Sequence, residues 1–177
     1  MSTQPIAIEP ASQRVLLELL RGKGAHVDPI AGISDVSAEL AGRKADALPH
    51  TIWDLVSHLN YWMDFDLRRI RSEKPIYPEH AQEGWPLRSA PQSEAEWRQA
   101  VMRFRELLGE WENLAKSTPE RLAVQVSSAT ERHTQQDSSL LAMLWQTVTH
   151  NSYHIGQVAL LRRALGAWPP AAGGDTW

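Results

Sequence analysis

The sequence predicts an all-α protein, a four-helix bundle with long inter-helix loops. Three observations carry that prediction. Apolar residues recur at spacings of three and four along most of the chain, the period of a helix that buries one face. Ser, Thr and Asp residues stand before those runs and glycines stand after several of them, as helix starts and stops require. Alternation of the kind a strand needs is confined to one short stretch. Helices without a sheet bury their apolar stripes against one another. A chain of 177 residues is expected to form one domain. Here it spans residues 10–168, with a flexible arm over 1–9 and a tail over 169–177.

The first element is "ASQRVLLELLRG", where Val15, Leu16, Leu19 and Leu20 have helical spacing and Gly22 ends the run. "DPIAGISDVSAELAG" starts the next, with Asp28 as N-cap and Pro29 at the first helical position. Ile30, Ile33, Val36 and Leu40 share one face, and the element ends near Gly42. These two short helices count as a pair. "TIWDLVSHLNYWMDFDLRRIRS" follows, opened by a capping-box-like Thr51 and Asp54. Its apolar positions are Trp53, Val56, Leu59, Trp62, Met63 and Ile70.

Residues 73–92 contain four prolines and read as a loop. Ser93 and Glu96 form a capping box for the next helix, striped by Trp97, Val101, Phe104, Leu107, Leu108 and Trp111. Gly109 interrupts it at a cost of ~1 kcal/mol relative to Ala. Residues 117–136 are polar and mixed, and "RLAVQVSSA" within them alternates as a short strand or extended loop would. Asp137 or Ser138 caps the last helix, which runs to Leu165 before Gly166. That helix is ~40 Å long at the standard rise. The two long loops are where a pocket cover or crossover is expected.

Composition narrows the function. Net charge is −3 and no Lys/Arg block stands out, so nucleic acid is not an expected partner. Cysteine is absent, which removes disulfides, thiolate ligands and Cys nucleophiles and fits a reducing compartment. No apolar run reaches the ~18 residues of a membrane span. "MSTQPIAIEP" has neither the basic start nor the apolar stretch of a signal peptide. The expectation is a cytoplasmic protein that engages neither membrane nor nucleic acid. Eight tryptophans against two phenylalanines are expected in the core or an interface.

Of seven histidines, His26, His50, His80 and His133 fall in predicted loops or at helix starts and read as solvated. His150 and His154 differ. Residues four apart on a helix have Cβ atoms ~6 Å apart on one face, and two imidazole nitrogens can converge on one ion at ~2.0–2.1 Å. Two ligands hold a divalent ion weakly. His58 is the candidate third, because it sits mid-helix between Val56 and Leu59, where an unpartnered imidazole would be costly. Three protein ligands leave coordination positions for water or substrate, the pattern of a catalytic site. H-E-x-x-H is missing, which excludes a zincin protease by motif, and without E-x-x-H a di-iron carboxylate site is unsupported; G-x-x-x-x-G-K-[ST] and G-x-S-x-G are missing too. The residues alone leave three readings: a metal-dependent enzyme, a non-catalytic metal- or small-ligand-binding bundle, and a scaffold with three partnered core histidines.

"TIWDLVSHLNYW" with His58, and "HNSYHIGQVALLRRALG" with His150, His154 and Gly156-Gln157, resemble the DinB/YfiT-like superfamily. Its members are four-helix bundles with a His in the second helix and an H-x-x-x-H pair in the last. The match to H-x-G-Q-x-x-x-x-R puts Ile155 at the variable place and Arg162 at the basic one. The resemblance runs from about Arg14 to Trp168. It implies that His58, His150 and His154 bind a divalent metal, nickel or zinc, and that the protein forms homodimers. The superfamily includes thiol-dependent enzymes such as bacillithiol S-transferases and mycothiol-dependent maleylpyruvate isomerase, and many members without an assigned activity. Its name refers to DNA-damage induction and not to DNA binding.

On that reading the protein is a metal-dependent thiol transferase or hydrolase acting on a small molecule. Any thiol would be an external low-molecular-weight one, since the chain has no cysteine. Four residues are candidates for supporting or lining the site: Asp54, one turn before His58; Gln157, nearly one turn after His154; and Tyr61 and Trp62, following His58. Tyr153 reads as structural, and Arg162 as a surface or dimer ion pair.

Overall fold

The structure is a computed structural model and describes residues 10–46, 48–127 and 137–173. The arm over 1–9, His133 with the rest of 128–136, and the end of the tail at 174–177 lie outside the described residues. The described residues are all-α apart from one two-residue ladder. Among the described residues, four helices exceed ten residues: α1 (Pro10–Leu20), α4 (Ile52–Ile70), α5 (Glu94–Ala115) and α7 (Leu140–Ala164). α4 packs on α5 and α7, and α1 packs on the same two from the other side. One core lies between them, with Leu16, Leu59, Phe104, Leu108, Trp111 and Leu144 among its most buried members. No helix among the described residues is long and apolar enough to cross a membrane.

The start of α4 is fixed locally. Thr51 Oγ1 accepts from the Asp54 N–H at 3.1 Å, and Asp54 Oδ2 accepts from the Thr51 N–H at 2.9 Å, a reciprocal capping box. Ser93 Oγ accepts from the Glu96 N–H at the start of α5.

Two departures from the sequence reading have long-range causes. The segment from Asp28 to Gly42 is two helices, α2 (Pro29–Ser34) and α3 (Ala38–Ala41). At the break, Trp97 Nε1 on α5 donates to the Val36 carbonyl, and the Asp35 carboxylate turns to Arg162 on α7. A continuous helix would have spent that carbonyl internally. The N-cap of α7 is Ser139, which accepts from the Ala142 N–H at 3.1 Å, and not Asp137 or Ser138. Ser138 and Ser139 instead form β2 against β1 (Gln125–Val126), antiparallel, and the Leu140 N–H donates to the Val124 carbonyl at 2.9 Å. The alternating stretch therefore pairs with the residues leading into α7. Between β1 and α5 lies α6 (Pro119–Leu122), which takes the first two residues of that stretch.

Candidate metal centre

α4 and α7 lie side by side, and that packing brings the histidines together. His58 and His154 are 7% and 6% exposed and His150 is half-buried. Ligand nitrogens of the three lie within 4.8 Å of one another, and no other such group of metal-binding side chains occurs among the described residues. His58 Nε2 and His150 Nε2 are 3.2 Å apart. The three rings meet edge to face, with centroids 4.7–5.2 Å apart.

Hydrogen bonds behind the rings set which nitrogens face inward. His58 Nδ1 lies 2.7 Å from the Gly84 carbonyl. A carbonyl only accepts, so that nitrogen carries the proton and Nε2 keeps its lone pair. His154 Nδ1 lies 2.7 Å from Gln157 Oε1, which fixes the same tautomer. With His58 Nε2 an acceptor, His150 Nε2–H is the donor across the 3.2 Å gap. A cation between the rings would take that proton's place and face three lone pairs. The donor set therefore fits a divalent ion of the kind that imidazole suits.

The electrostatics agree. Burial lowers the His58 pKa from 6.5 to about 4 against the opposing pull of the Gly84 carbonyl, with His154, His150 and His50 adding to the depression. Burial, then His154, lowers His150 to about 4. Burial also lowers His154, partly offset by Gln157. All three imidazoles are neutral at pH 7, the form that ligates metal.

The segment between α4 and α5 closes over the centre, as a cover at 73–92 would. It contains a 3₁₀ turn, Ala81–Gly84. A Cβ on Gly84 would lie 2.8 Å from Trp62 Nε1, so only glycine brings this backbone down to His58. Trp85 then stacks on His58, centroids 3.9 Å apart and planes 15° apart. His50 stacks on its other face at 4.0 Å and 7°. Neither Trp85 nor His50 has a readable motif, and the expectation that His50 is a solvated loop residue is corrected. His26 is likewise partnered: its Nε2 meets Ser152 Oγ at 2.9 Å and its Nδ1 meets the Val27 carbonyl at 2.8 Å.

A cavity of about 410 Å³ adjoins the centre through His150. Trp62 and Asp66 of α4, Gln146, Asn151 and Tyr153 of α7, and Tyr77 of the covering segment contribute to its walls.

The expected supporting residues separate accordingly. Gln157 holds His154. Trp62 sits edge-on to His58 and lines the cavity. Tyr61 stacks on Phe65 and meets Trp62 edge-on, outside the cavity walls. Asp54 is engaged in the α4 cap, and the orienting partner of His58 is the Gly84 carbonyl. Tyr153 is 64% exposed and lines the cavity. Arg162 is 2% exposed, an internal latch and not a surface pair. It forks onto Asp35 at 2.6 and 3.1 Å and also donates to the Gly32 and Ala167 carbonyls, both at 2.8 Å.

A family model described as the DinB superfamily matches residues 11–158, more than half of the chain and all three histidines. No curated protein and no solved structure matches it.

Proposed function

This chain belongs to the DinB superfamily, and from that premise we propose that it is a metal-dependent enzyme acting on a small molecule, a thiol transferase or hydrolase. His58, His150 and His154 are the metal ligands, and nickel or zinc is the ion that suits them. The observation that carries this reading is three neutral imidazoles converging within 4.8 Å beside a cavity of about 410 Å³.

A bound divalent ion supplies Lewis acidity, lowering the pKa of a coordinated thiol or water or polarising a carbonyl. The chain's own residues do the rest. The Gly84 carbonyl and Gln157 keep the His58 and His154 protons on Nδ1, so that both Nε2 atoms stay available. Trp85 and Trp62 wall His58 from solvent. The cavity along α4 and α7 receives the substrate, with Trp62, Tyr77 and Tyr153 as apolar surface. Asn151, on the same wall, keeps a buried Oδ1 without a partner among the described residues, an acceptor for a substrate N–H or O–H. The thiol comes from the low-molecular-weight pool, which agrees with a cytoplasmic setting.

The functional unit is a homodimer joined along α7. Trp145, Tyr153 and Leu160 are 42%, 64% and 52% exposed and share one face with Gly156 by helical spacing. A Cβ on Gly156 would meet nothing within 4 Å. A mid-helix glycine with open space above it suits the close approach of a second helix.

Elemental analysis of protein purified without an affinity tag tests the metal, with one equivalent expected and none in His154→Ala. Thiol consumption with electrophilic substrates then tests catalysis, with loss in His154→Ala expected. A metal-bearing protein whose reactions are all untouched by that substitution would instead be a binding protein.

A further inference from the structure

A second cavity lies behind the first. Asp66, on the wall of the cavity beside the histidines, accepts from Arg69 Nη1 at 2.9 Å. Arg69 lines a separate space of about 230 Å³, closed in by the last turn of α4, by α6 and by β1. Arg121, Ser72, Gln125 and Ser127 line it too. The site is built, not incidental: Ser72 takes φ 63 to turn the chain after α4, and the β1–β2 ladder holds the opposite wall.

Its charge is one-sided. Two guanidinium groups and, among the described residues, no carboxylate line it. Arg69 is 9% exposed. Its Nη2 donates to the Ser127 carbonyl at 3.3 Å, and its Nε is buried without a partner among the described residues. Arg121 is exposed and its side chain makes no ion pair among the described residues. A guanidinium fork matches the paired oxygens of a carboxylate or phosphate.

We propose that this cavity is a binding site for a small oxyanion, a phosphate or carboxylate group. Arg69 meets the anion from the inner wall and Arg121 closes on it from the solvent side. The site is distinct from the histidine centre and stands whether or not that centre holds metal.

Isothermal titration calorimetry on the full chain tests it, with inorganic phosphate in one arm and malonate in the other, each at ionic strength matched with chloride. Saturable one-to-one binding is expected for at least one anion, and the tighter arm identifies the group. Arg121→Gln, a change at an exposed side chain, should weaken binding about tenfold, the loss of one charge-assisted hydrogen bond. Arg69→Lys keeps the charge and removes the guanidinium fork, and should weaken it as well. Absence of saturable binding in both arms, or unchanged affinity in Arg121→Gln, would overturn the proposal.

Discussion

The Gly84 carbonyl accepts the His58 Nδ1 proton at 2.7 Å, and this one bond ties the covering segment to the histidine centre. It exists because residue 84 has no Cβ: one would press on Trp62 Nε1 at 2.8 Å. Gly84→Ala should lift the segment off His58 and free the ring to turn. Loss of a bond that orients a ligand costs metal affinity about 10–100-fold. Competition with a chromophoric chelator would measure it, with circular dichroism confirming that the helices persist. Affinity equal to wild type would remove the segment from the metal site.

The depressed imidazoles predict the pH response. His58 and His150 titrate near 4 when folded, against 6.5 ordinarily. As pH falls, the unfolded chain takes up protons first, so these groups' stability is fully present above about 6.5 and is lost as pH falls through about 4. Urea midpoints in chelator should therefore drop across that window. Protons also compete for the ligand nitrogens only in the same range, so metal should be half-released well below pH 6.5. A release midpoint at or above 6.5 would contradict the buried, neutral triad.

Arg162→Ala should unfold at lower urea. Breaking a fully buried ion pair costs 3–5 kcal/mol, and the side chain of Asp35 is still 30% exposed, so about 2–3 kcal/mol is expected. Asp35→Asn should cost less, since an amide oxygen remains to accept. A loss within experimental error for Arg162→Ala would mean that α7 and α2 hold together without the latch.

Gly109→Ala should stabilise the protein. Gly109 lies inside α5, and a Cβ there meets nothing within 4 Å. The gain expected is about 1 kcal/mol from helix propensity and a less flexible unfolded chain. Thermal unfolding reads it, and a lower melting temperature would show that the glycine has a packing role.

The homodimer has its own test. Leu160→Glu puts a charge on the exposed stripe of α7 without touching the core and should convert dimer to monomer in sedimentation velocity. A wild type that sediments as a monomer at all concentrations would end that reading.

Much of this was legible in the residues because it is local. The Thr51–Asp54 cap needs only neighbours in sequence, and His150 and His154 meet because four residues make just over one helical turn. His58 could be singled out because an imidazole in an apolar stripe needs a partner. The rest depends on distant parts of the chain. Ile33, Val36 and Leu40 keep helical spacing across the break between α2 and α3, so periodicity hides it. The causes are Trp97 and Arg162, 61 and 127 residues away. The partner of His58 is a backbone carbonyl, which has no side-chain signature, and the His50–Trp85–His58 stack joins loop residues whose order predicts nothing. Arg162 carries the charge of a surface residue, and only its fork of acceptors places it inside.

The histidines that meet here come from places 92 residues apart in the chain. In a protein without cysteine, one cation held by both ends would be a removable clasp, stabilising the folded chain by binding it and not the open one. A ligand that binds only the folded form adds about 2.7 kcal/mol when free at 100 times its Kd. The melting temperature then becomes a gauge of how much free metal the surroundings offer. Chelation alone would loosen the whole molecule with every residue left in place.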